Sequence, residues 1–262
     1  MIIAGLILLG FAASTYGTII GAGGGFLFVP VLVTFYDISP QSAAATGLAV
    51  VFLNAAAGLP MFLKQRRVLL RTGTLLAIGA FPGTFIGSEL VKYSPDWVFY
   101  SLFACLLIGL GLFLSLKKPS QEKNEVAAAS ESGALLPQKQ SEDRINHWKL
   151  LGVGSILGVV SSFFGIGGGW LMVPILTYGF SLSIKAATST SIFSLALYSL
   201  VGLVPSIADG AVQWPIVAWS GIGVLIGAQT GAILSKKMNG TTITRLLTVL
   251  VIAMGINMIF QI

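Results

Sequence analysis

The stretch Ile20–Leu32, IGAGGGFLFVPVL, is written a second time as FGIGGGWLMVPIL over Phe164–Leu176, which restricts the chain to folds built from two related halves. Gly21 is matched by Gly165, 144 positions on, and at that offset Gly23/Gly167, Gly24/Gly168, Gly25/Gly169, Leu27/Leu171, Val29/Val173, Pro30/Pro174 and Leu32/Leu176 are also identical. Gly83, Gly87 and Lys92 meet Gly227, Gly231 and Lys236 at the same spacing, and AATGLA (Ala44–Ala49) meets AATSTS (Ala186–Ser191) with a two-residue shift. Each copy is a glycine run inside an apolar stretch, closed by a proline. In a membrane chain, matched Gly/Pro interruptions in two halves point to a solute site.

Composition supplies the membrane. Of 262 residues 55% are apolar and 9% are charged, where a soluble domain carries about 25% charged residues. With a mean hydropathy of +0.90, the long apolar runs separated by short polar breaks read as a polytopic, all-α membrane protein. The net charge of +6 gathers at segment ends, as topology signals do, and no aromatic-plus-basic surface accompanies it, so nucleic acid is not an expected partner. The start, MIIAGLILLG, lacks a positive n-region and runs on without a polar break, so it reads as a retained first helix. Cys105 is the lone cysteine and says nothing of redox compartment.

Apolar segments fall near 2–20, 24–36, 42–63, 72–91 and 97–116, then near 148–164, 168–180, 185–206, 212–234 and 243–262. The expected organisation is a first transmembrane repeat over 1–116, a polar flexible linker over 117–147 and a second repeat over 148–262. If each glycine motif were one bent crossing, the halves would have four helices each and be parallel. If the chain reverses at the glycines, the halves have five elements each and are inverted. Placing Lys64, Arg66, Arg67 and Arg71 inside, the five-element count also puts Lys185, Lys236, Lys237 and Arg245 inside and Asp209 outside, leaving only Lys92 misplaced. The expectation is therefore five-plus-five, inverted, with both termini outside and broken helices at the glycine motifs. The segment 24–36 is about 13 residues, roughly 20 Å of helix, against about 30 Å of hydrocarbon, so its glycine-rich end should lie within protein.

The doubled GAGGGFLFVPVL/GIGGGWLMVPIL motif with AATGLA and AATSTS resembles the TauE/SafE family of sulfite exporters, over nearly the whole chain apart from the linker. The resemblance implies a multi-pass carrier in the plasma (inner) membrane for sulfite or a small organic sulfur anion, such as a sulfonate or a thiosulfate-like species.

Several residue sets could serve such a cargo. Helices starting after Gly23, Gly24, Gly25 and after Gly167, Gly168, Gly169 would present unpaired N–H groups and roughly half a positive charge, reachable without side-chain obstruction. The plainer role for glycine is close helix packing. Thr46, Thr188, Ser189, Thr190 and Ser191 could donate to an oxyanion or bond between helices. Asn54 and Gln229, amides embedded in apolar runs, offer the same choice. Glu89 is the one carboxylate inside an apolar run and the candidate coupling residue, although Lys92 one turn away makes an interfacial pair the simpler account. Lys185 could attract anions or anchor topology. Pro30, Pro60, Pro82, Pro174 and Pro205 should mark kinks.

No metal site, cofactor or enzyme activity is expected. His147 is the only histidine, and neither a P-loop nor a nucleophile–base pair is recognisable. Energy must then come from a gradient or from a partner elsewhere. The leading reading is a secondary transporter working by alternating access. The alternatives are an anion channel or a non-transporting membrane subunit of a larger complex. The expected partners are a small sulfur-containing anion and the lipid bilayer, and the sequence is compatible with a homo-oligomer.

Overall fold

The computed structural model describes residues 2–116 and 147–259. All regular structure among them is helical: α1 (Ile2–Ile20), α2 (Gly25–Tyr36), α3 (Pro40–Lys64), α4 (Leu70–Tyr93), α5 (Asp96–Leu116), α6 (His147–Phe164), α7 (Gly169–Pro174, extended by a π-turn over Ile175–Gly179), α8 (Ile184–Ala208), α9 (Trp214–Lys237) and α10 (Gly240–Ile259). Seven of these, α1, α3, α4, α5, α6, α8 and α9, are long and apolar enough to cross a membrane. The polar stretch 117–146 expected to link the halves lies outside the described residues, and His147 already opens α6.

One register, 144, relates the halves. Ser39 caps α3 by accepting a hydrogen bond from the Ser42 N–H, and Ser183 caps α8 by accepting one from Ala186, as hydroxyl caps do at helix starts. Asp37 and Ser181, two residues before those caps, both take positive φ (49° and 55°), and Arg66 (53°) matches Gly210 (65°). The two-residue shift suggested by AATGLA and AATSTS is corrected by these pairs: Thr46 corresponds to Thr190, and Ala44 and Ala45 correspond to Thr188 and Ser189. Pro30, Pro60, Pro82, Pro174 and Pro205 lie inside their helices; of these five only Pro174 is followed by a π-turn, whereas α2 continues past the equivalent Pro30.

The chain turns back at each glycine run. A Cβ on Gly24 would lie 2.9 Å from the Ala13 carbonyl oxygen, and one on Gly5 would lie 3.7 Å from the Tyr36 hydroxyl, so α2 retraces α1 towards its start. Gly168 likewise lies against Leu157, so α7 folds back along α6.

Glycines then bring the halves together. Gly79, Gly83 and Gly87 of α4 lie against Leu151, Ser155 and Val159 of α6, while Gly223, Gly227 and Gly231 of α9 lie against Ile7, Phe11 and Thr15 of α1. The residue difference is constant within each set, so these pairs run parallel, and replacing every residue by its equivalent 144 positions away turns one set into the other. In lipid, where apolar burial drives helix association weakly, missing side chains let backbones meet at this range. Helices related by the repeat pair in the opposite sense. Gly111 of α5 meets Ile252 of α10 and Gly255 meets Ile108, so those two run antiparallel. Outward faces of the long helices expose Phe85, Ile86 and Leu90 on α4 and Leu225, Ile226 and Ile233 on α9, an apolar exterior suited to lipid.

Candidate functional site

The two glycine turns meet at the centre. Gly21, Gly23 and Gly24 have φ of 79°, 81° and 78°, and Gly165, Gly167 and Gly168 have 68°, 78° and 63°. Side chains are strained in this region, which explains why both runs are glycine. Neither Gly24 nor Gly168 receives a side-chain cap, so α2 and α7 start from bare backbone. These starts face one another: a Cβ on Gly25 would lie 2.9 Å from the Gly165 carbonyl oxygen, and the Gly21 carbonyl oxygen closes on Gly169 in the same way. Val51 and Leu195, equivalent residues of α3 and α8, reach both Gly23 and Gly167. Every residue from Gly21 to Gly25 and from Gly165 to Gly169 is buried.

Hydroxyls and amides hold the turns. Ser191 Oγ donates to the Gly21 carbonyl at 2.8 Å. The Tyr198 hydroxyl, fully buried, donates to the Gly167 carbonyl. Asn54 is the positional equivalent of Tyr198, and its Oδ1 accepts hydrogen bonds from Ser14 and, at 2.8 Å, from Thr18 at the end of α1. Its Nδ2 is buried without a partner among the described residues.

The remaining expected residues divide. Thr46 Oγ1 donates to the Ser42 carbonyl at 2.6 Å and accepts the Gln213 N–H at 3.0 Å, and Thr190 Oγ1 accepts the equivalent Leu69 N–H at 3.1 Å. Both hydroxyls tie one half to the other. Thr188 touches the Gly21 turn through its Cα and methyl group, and its hydroxyl is buried without a partner among the described residues. Ser189 Oγ donates to the Lys185 carbonyl at 2.8 Å. Gln229 lies on the exposed face of α9, away from the turns. Glu89 is also exposed and pairs with Lys92 at 2.8 Å. Lys185 lines a crevice with Arg67.

A family model described as "Sulfite exporter TauE/SafE" matches residues 6–258. The chain belongs to the TauE/SafE family. Among curated relatives, this TauE/SafE chain is 29% identical to the probable membrane transporter protein YunE of Bacillus subtilis, covering 98% of this chain and 97% of that one. It is 25% identical to the probable membrane transporter protein MJ0441 of Methanocaldococcus jannaschii, over 97% and 94% of the two chains. A probable membrane transporter protein of Xylella fastidiosa is 24% identical over 97% and 92%. No solved structure matches the chain.

With its family and its apolar helices, the TauE/SafE chain is a multi-pass membrane protein. Chemically, among the described residues the meeting point of the two turns offers backbone dipoles and neutral donors but no charged side chain. Among the described residues no three His, Cys, Asp or Glu side chains gather as metal ligands would. Three features of this centre were missed from sequence. Tyr198, Val51 and Leu195 lie unremarked within the apolar segments 42–63 and 185–206, and the offset of 144 that relates Tyr198 to Asn54 and Leu195 to Val51 was the available signal.

Proposed function

We propose that this TauE/SafE member is a secondary transporter that moves sulfite or a small organic sulfur anion by alternating access, in the plasma membrane. The observation carrying the reading is the meeting of two side-chain-free helix starts, one from each half. Backbone N–H groups and helix dipoles attract an oxyanion without a buried arginine, which leaves the cargo free to depart. Asn54 Nδ2 adds an unpaired donor at the same depth, and leaving it unpaired costs about 1–3 kcal/mol. In the conformation described here the turns are closed, with Val51 and Leu195 between them, and the cargo passes when the halves part.

The halves act as inverted repeats, 1–116 and 148–262, joined by the stretch 117–147, with the termini outside. Three observations favour this: the antiparallel pairing of α5 with α10, the ion pair joining Lys92 to Asp209, and the shared crevice of Arg67 and Lys185. Each agrees with the five-element count.

The test is uptake of radiolabelled sulfite, thiosulfate and methanesulfonate into proteoliposomes. Saturable uptake of one of them above protein-free vesicles, reduced at least tenfold in Asn54→Leu, supports the reading. Protein that is folded and inserted yet moves none of the three counts against it.

A further inference from the structure

Arg67, in the loop between α3 and α4, lines a narrow crevice with Lys185, Thr188, Ser189 and Ser235. Gln65 Nε2 donates to the Ala232 carbonyl at 3.2 Å and pins that loop to the end of α9. Among the described residues neither Arg67 nor Lys185 has a carboxylate partner, because the two ion pairs formed there both belong to Lys92. Two cations without an acid, beside a buried hydroxyl without an acceptor, make an incomplete cluster. An anion is what completes it. Thr188, 2% exposed, connects the two regions: its hydroxyl is unpaired and its Cα and methyl group rest on the Gly21 turn.

The opposite face has no counterpart. At the 144-residue register Arg67 becomes Ala211, Lys185 becomes Gln41, Thr188 and Ser189 become Ala44 and Ala45, and Ser235 becomes Val91. Neither cation is kept, and none of the three hydroxyls beside them is. Ala45 and Ala211 sit there in an apolar cluster with Ala49, Leu203, Val212 and Val217. The basic residue of that face, Lys92, is held by both Asp209 and Glu89.

We propose that Arg67, Lys185 and the Thr188 hydroxyl form a one-sided binding subsite for a small oxyanion, which loads the Gly21 turn from the basic face only. The proposal rests on the transport reading for the identity of its cargo, but binding itself is measurable without transport. Burial lowers the Arg67 pKa, and a bound anion would oppose that shift. The crevice is too tight for a water molecule in this conformation, so occupancy requires its walls to separate.

Full-length protein in detergent is titrated with sodium sulfite and sodium thiosulfate at constant ionic strength, and Kd is read from thermal stabilisation. Arg67→Gln, Lys185→Gln and Thr188→Val are compared with wild type, each first shown to melt within a few degrees of it in sodium chloride. The expected result is saturable stabilisation of wild type, with Kd raised at least tenfold in Arg67→Gln and Lys185→Gln and severalfold in Thr188→Val. In proteoliposomes the same variants should raise KM at the basic face and leave it unchanged at the other. Unchanged Kd in all three variants alongside normal wild-type transport overturns the subsite and leaves the transport reading standing. No stabilisation of wild type by either anion overturns the subsite as well, whether or not transport is observed.

Discussion

Lys92 Nζ lies 2.7 Å from the Asp209 carboxylate, joining the end of α4 to the end of α8. A partly exposed pair of this kind contributes little stability, but it places both residues at one end of the bundle. Arg67 is one crossing away from Lys92 along α4. In Cys105→Ser, which removes an exposed thiol, Asp209→Cys should therefore react with a membrane-impermeant maleimide from one face, and Lys237→Cys from the other. Labelling of both from the same side would contradict the inverted arrangement.

Thr46 and Thr190 stitch the halves together through equivalent bonds to Gln213 and Leu69. The Gln213 N–H is only part-buried, so losing its acceptor costs about 1 kcal/mol. Thr46→Val should lower the melting temperature in detergent by several degrees, whereas Thr46→Ser should restore most of the loss. Equal behaviour of the two would mean that the hydroxyl is not what holds Gln213.

Gly83 and Gly227 sit where helix backbones touch, so a larger side chain must drive α4 from α6, or α9 from α1. Gly83→Leu or Gly227→Leu should cost about 1–3 kcal/mol or more by overpacking and reduce the yield of monodisperse protein. Gly109, with nothing within 4 Å of a Cβ, provides the control. Gly109→Ala should be neutral or stabilise by about 0.5–1 kcal/mol, from helix propensity.

The duplication and the chain reversal were legible because glycine at a positive φ leaves a mark in sequence: Gly21, Gly23 and Gly24 cannot easily be anything else. The register of α3 against α8 was not. The Ala-Ala-Thr match follows composition, while the caps Ser39 and Ser183 follow geometry. Gln229 misled for a related reason: apolar neighbours surround an amide equally well on a lipid-facing surface and in a core. Arg67 and Lys185 are separated by most of a repeat and a linker, so only the fold brings them to one crevice. Gly24, expected to line a site, proves to be needed for the turn itself, and Gly24→Val would disturb folding before it reported on cargo.

In the proposed transport cycle, cargo passes between the two glycine turns. Val51→Cys, a close match in volume, places a thiol between Gly23 and Gly167 in the Cys105→Ser background. The decisive measurement is sulfite uptake into proteoliposomes before and after labelling with N-ethylmaleimide, with excess reagent removed first. The account predicts that the unlabelled variant transports, that sulfite slows its labelling, and that the labelled protein transports at least tenfold more slowly. Full labelling with undiminished uptake would contradict it.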